Sequence, residues 1–120
     1  MSSFEIPASR HYLKMKFDDE EISVIQTACT AVALRERYLM MRVAANTDLE
    51  TAAGLAKKAS DSEMAEGLAS MFKPGQEILI EPEDLAVVLE SLKAYGLTAP
   101  EEHSPIVKRL IEKMGRYCKQ

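Results

Sequence analysis

Residues 18–45 read as one long helix whose apolar surface is too wide for a single neighbour to cover. Ile25, Cys29, Val32, Leu39, Met40 and Val43 form one stripe; Val24, Ala28, Ala31, Leu34, Tyr38, Met41 and Ala45 form a second. Such a helix must sit at the centre of the fold, touching several elements or a second copy of the chain. The spacing of its charges (Arg35, Glu36, Arg37, Arg42) also rules it out as a membrane span, which needs about 20 uninterrupted apolar residues.

The start of this helix is written in its flanks. Phe17-Asp18-Asp19-Glu20-Glu21-Ile22 puts Asp18 at the N-cap and Glu21 at N3, an acidic capping box. Phe17 and Ile22 fall at the two positions of a hydrophobic staple, and the carboxylates complement the positive end of the helix dipole. Thr47-Asp48-Leu49-Glu50 and Ser60-Asp61-Ser62-Glu63 repeat the pattern, and Ser104-Pro105 offers an N-cap followed by proline at N1. Stops fall at Asn46, at Lys73-Pro74-Gly75, and at Gly96, which sits where a C′ glycine would. These signals predict helices over 18–45, 48–59, 61–72, 82–95 and 105–117.

Two short segments read as strands. Residues 11–17 alternate, with Leu13, Met15 and Phe17 on one face and Tyr12, Lys14 and Lys16 on the other; residues 76–80 are short, β-branched and preceded by a Pro-Gly turn. Each runs into an acidic helix start, so residues 15–25 match residues 78–88 in hydrophobic pattern at a constant offset of 63. The expected fold is therefore α+β and mainly α. About five helices surround the central helix 18–45, with a two-stranded sheet from 11–17 and 76–80, in a single domain over 1–120 whose residues 1–10 form an extended N-terminal arm. A chain of 120 residues suffices for one such core. The helices at 48–59 and 61–72 are rich in Ala and Gly and are expected to contribute the least burial.

No catalytic motif is present: there is no phosphate-binding glycine loop, no Gly-x-Ser-x-Gly elbow and no His-Glu-x-x-His. His11 and His103 flank different elements without a local nucleophile. Together with Cys29 and Cys118 they have no spacing of a metal-ligand pair, so neither a metal nor a cofactor is expected. The acidic clusters coincide with helix starts, where capping already accounts for them. With only two cysteines, no basic-then-apolar leader and no spanning segment, the chain reads as a reduced cytoplasmic protein.

Two surfaces stand out as partner-binding candidates. On the central helix, Arg35, Tyr38 and Arg42 fall at i, i+3 and i+7, and Arg and Tyr are enriched in interface hot spots. On the last helix, Lys108, Arg109, Lys113 and Arg116 cover the side opposite its apolar face. The formal net charge of −4 conceals a division, since residues 103–120 hold five basic side chains against one acidic. The leading expectation is a non-enzymatic interaction protein (an adaptor, an immunity-like antagonist or a phage-type inhibitor) that forms a homodimer and binds another protein. A nucleic-acid-associated regulator using 108–119 and a small enzyme with a dispersed His/Cys site are the alternatives.

Overall fold

The computed structural model describes residues 12–43 and 47–118, with the side chain of Cys118 outside that set. The order of elements is β1 (Leu13–Met15), α1 (Asp19–Val43), α2 (Leu49–Ser70), β2 (Ile78–Ile80), α3 (Pro82–Gly96) and α4 (Ser104–Cys118). The chain is thus mainly helical with one small sheet, as its patterns predict, but the described residues hold four helices and not five. The expected N-terminal arm (1–10), His11 and the stop at Asn46 lie outside the described residues.

The miscount lies in α2. The polar run Ser60-Asp61-Ser62-Glu63 was expected to open a new helix, yet α2 continues through it. Each of its last three side chains finds a partner compatible with a continuous helix. Asp61 pairs with Lys57 one turn back at 3.1 Å, the Ser62 hydroxyl donates to the Lys58 carbonyl at 2.8 Å, and Glu63 accepts from Arg37 at 3.2 Å. Back-bonding to the preceding turn removes the incentive to cap.

The starts of α1 and α2 behave as chemistry requires, whereas α4 begins at Ser104 itself, so the N-cap and N1 positions expected at Ser104 and Pro105 are each one residue late. The Asp18 N–H donates to Glu21 Oε1 at 3.0 Å and the Glu21 N–H to Asp18 Oδ1 at 2.7 Å, the reciprocal pair of a capping box. Phe17 and Ile22 are both buried, completing the staple. Asp48 caps α2 by accepting from the Thr51 N–H at 2.7 Å, and this bond holds its carboxyl below the ordinary Asp range. At the end of α3 the expectation fails: the cap is Leu97, in right-handed helical geometry, and Gly96 still belongs to the helix. Gly96 serves packing instead, because a Cβ there would lie 3.2 Å from Val107 Cγ1, where α4 crosses α3.

The strands are shorter than predicted and pair antiparallel within the chain, in the register Leu13↔Ile80, Lys14↔Leu79 and Met15↔Ile78. The turn that brings them together uses Gly75 at φ 72°, and its N–H donates to the Phe17 carbonyl at 3.0 Å. Met15, Phe17 and Ile80 are buried while Tyr12, Lys14 and Lys16 are exposed, so the alternation holds. Phe17 stacks on Phe72 at 5.8 Å between centroids. The core is built from Ile25, Cys29, Leu85, Val88, Leu92, Leu110 and Met114, which puts α1, α3 and α4 around one centre.

Candidate protein-binding hairpin

Helices α1 and α2 form an antiparallel hairpin, with five residues between Val43 and Leu49. Its legs are joined at two levels: Gln26 Nε2 donates to the Ala69 carbonyl at 3.0 Å, and Arg37 pairs with Glu63 at 3.2 Å. The core-facing row of α1 is Ile22, Ile25, Cys29, Val32, Glu36, Leu39 and Val43, spaced alternately three and four residues apart. Its counterpart on α2 is Ala52, Leu55, Ala59, Ser62, Glu66 and Ala69. In each helix this spacing keeps the row on one face.

Helices α3 and α4 cover only its lower half. Burial on α1 ends at Ala33, and on α2 it begins at Ala59. Residues 34–43 and 49–58 contain no buried side chain, so about 15 Å of the hairpin stands clear of the body. The core row simply emerges: Val32 is 5% exposed, whereas Leu39 and Val43 are 38% and 39% exposed. The second row of α1 is bare from lower down: Val24 and Ala28 are buried, Ala31 is already exposed, and Leu34, Tyr38 and Met41 are 55%, 57% and 74% exposed. Where the free half meets α3 there is a cleft of about 480 Å³ with Val32, Ala86, Val87 and Ala94 along it and Arg35 and Lys58 beside them.

The predicted partner-binding residues separate into two groups. Arg35, Tyr38 and Arg42 all lie exposed on the free half. Arg42 Nη1 donates to the Tyr38 hydroxyl at 2.9 Å and its guanidinium lies 5.6 Å from the ring centroid, so the two side chains form one amphipathic plate. Arg35 stands 3.9 Å from Glu36. The basic face of α4 is largely engaged inside the chain. Arg109 lies 4.0, 3.8 and 3.5 Å from Asp18, Glu20 and Glu21; Lys113 is 3.5 Å from Glu21, donates to the Lys16 carbonyl at 2.7 Å, and sits 4.6 Å from the Phe17 ring centroid. The two cations tie α4 to the acidic start of α1, leaving Lys108 and Arg116 exposed and without an ion pair among the described residues.

The groups considered for chemistry do not converge among the described residues. Cys29 is a free, fully buried thiol beside Ser91, and burial, reinforced by Glu66, pushes its pKa up to about 12 against the lowering hydrogen bond from Ser91. His103 Nδ1 is 2.7 Å from the Tyr95 hydroxyl, whose own pKa is raised by burial and by Glu102. His11 and the Cys118 side chain lie outside the described residues. No cluster of three or more potential ligands able to hold a metal ion occurs among the described residues, and no helix there is long and apolar enough to cross a membrane.

Leu39, Val43 and Lys58 are the surface residues that sequence reasoning did not single out. The row carrying Leu39 and Val43 was legible, but where the covering helices end is a property of the tertiary fold. Comparison with protein-family models, with curated proteins and with solved structures finds no match to this chain.

Proposed function

We propose that the protein is a non-enzymatic interaction protein that binds another protein through the free half of the α1–α2 hairpin. The observation that carries this reading is the apolar surface left in solvent on the paired α1–α2 scaffold: Leu34, Tyr38 and Met41 on one side, Leu39 and Val43 on the other. Contiguous exposed apolar surface bordered by polar residues marks association sites. Tyr38 and the two arginines beside it are residue types that dominate interface energetics. The α4 cations, by contrast, have half their number occupied by Asp18, Glu20 and Glu21, which weakens the case for a nucleic-acid surface there.

The test is affinity capture from the cell that makes the protein, with three baits: wild type, Arg35→Glu/Arg42→Glu, and Lys108→Glu/Arg116→Glu. A protein retained by the first and third baits and lost from the second supports the hairpin. Loss only from the third, or nuclease-sensitive recovery, moves the function to α4. Identical recoveries from all three would overturn the proposal.

A further inference from the structure

We infer that the partner's contribution to this interface is an acidic amphipathic helix, which lies along the cleft at the base of the free half and packs on the apolar rows that α3 leaves uncovered. This rests on the reading of the hairpin as a binding surface and specifies what fills it.

Below Val32 the core rows of α1 and α2 are roofed by α3; above it the same rows continue in the same three-four spacing with no helix over them among the described residues. A third helix in that position would bury Leu39, Val43, Leu55 and Ala52 as α3 buries Ile25 and Cys29. The cleft of about 480 Å³ lies at the lower end of this seat, where the occupant would meet Ala86, Val87 and Ala94. Helix-in-groove recognition uses apolar anchors at i, i+3, i+4 and i+7, the periodicity these rows present.

Arg35 and Arg42 are seven residues apart on one edge, one heptad and about 10 Å along the axis, and Lys58 lies on the α2 side. Of the carboxylates near the cleft, Asp61 has Lys57 and Glu90 has Lys93, while Glu36 stands 3.9 Å from Arg35 and takes part of its charge, so Arg42 and Lys58 are the cations left most available. Lys58 has no ion pair among the described residues, and Arg42 bonds only the Tyr38 hydroxyl there. Residues 34–58 hold five basic and three acidic side chains in a chain whose total is −4. Flanking charges select coiled-coil partners, so a helix with carboxylates one heptad apart is favoured and a basic one is rejected. A second copy placed α1 against α1′ would set Arg35 and Arg42 against the same arginines, which disfavours self-pairing along this edge.

Two synthetic 24-residue helical peptides provide the probe, both with Leu and Ile at a and d, one with Glu and the other with Lys at e and g. Binding is read by fluorescence anisotropy of labelled peptide, with circular dichroism confirming that each protein variant keeps its helix content. The Glu peptide is expected to bind at least tenfold more tightly than the Lys peptide, with a preference that shrinks in high salt. Leu39→Glu/Val43→Glu should weaken it at least tenfold, Leu34→Ser/Met41→Ser on the opposite row less than twofold, and Arg35→Glu/Arg42→Glu should reverse the charge preference. Equal binding of the two peptides, no binding near 1 mM, or greater sensitivity to the Leu34/Met41 pair would overturn the inference. So would a dimer at tens of micromolar that Leu39→Glu/Val43→Glu dissolves, since the seat would then hold a second copy. If the peptides fail while the cellular partner is still lost from the Arg35/Arg42 variant, the helix assignment falls and the hairpin reading stands.

Discussion

Glu21 joins the cap of α1 to the cations of α4, and replacing it separates two kinds of interaction. Its carboxylate is buried, with the side chain 7% exposed. It accepts the Asp18 N–H at 3.0 Å and lies 3.5 Å from both Arg109 and Lys113, whose side chains are 53% and 34% exposed. Glu21→Gln keeps an acceptor for the cap, because glutamine also serves at N3, and removes only the charge. Two partly solvated ion contacts contribute about 0.5 kcal/mol each, and the lost interaction with the helix dipole adds about 0.3 kcal/mol, so this variant should lose about 1.3 kcal/mol. Glu21→Ala also removes the cap bond, which is worth about 1 kcal/mol, bringing its loss to about 2.3 kcal/mol. Urea unfolding at pH 7, followed by circular dichroism, reads both. With a slope of about 1.5 kcal/mol per molar, the midpoints should fall by about 0.9 M and 1.5 M at constant slope. Raising the salt to about 1 M should compress the glutamine effect and leave the alanine-to-glutamine gap intact. A glutamine variant as stable as wild type would refute the assignment of the α4 cations to a structural role, and two variants of equal stability would refute the contribution of the cap bond.

Leu92→Ala, at a fully buried position between helices, should lower stability by about 3 kcal/mol in the same unfolding assay. Lys108→Glu/Arg116→Glu should change it by less than about 0.5 kcal/mol, because neither side chain has an ion pair among the described residues to lose. The Cys29 thiol should resist a thiol reagent at pH 8 in native protein and react on unfolding. Its raised pKa also favours the folded state while the thiol stays protonated, so stability should be lost as pH climbs from about 9 to about 12, and Cys29→Ala should flatten that decline in pH-dependent urea titrations. Tyr95→Phe should cost about 1 kcal/mol by removing the bond to His103, measurable by thermal unfolding near neutral pH.

Elements whose signal is local were legible. The Asp18–Glu21 box, the Phe17/Ile22 staple, the Asp48 cap and the strand alternation ending in buried Met15 and Phe17 are set by neighbours within a few residues. Errors arose where a local signal had two outcomes. Ser62 can cap a new helix or bond back to Lys58, and Gly96 can end a helix or let another approach, and tertiary contacts decide both. The excess apolar width of α1 was legible too, and it explains the emergent Leu39 and Val43. What the pattern did not contain was the reach of α3 and α4, which sets how much of that width is left bare. The same limit applies to charge. The α4 cations formed a basic face on paper, and only the fold showed that Asp18, Glu20 and Glu21 stand against Arg109 and Lys113.

The proposal that the free half of the hairpin binds a protein is tested most directly by photocrosslinking in the cell that makes it. A photoreactive phenylalanine analogue is placed in separate variants at Leu39, at Leu34 and at Lys108, and the crosslinked peptides are mapped. A discrete adduct is expected at position 39, formed with an acidic helical segment of another protein, and little from position 108. Adducts confined to position 108, or to nucleic acid, or none at position 39 while position 108 captures a defined partner, would contradict it.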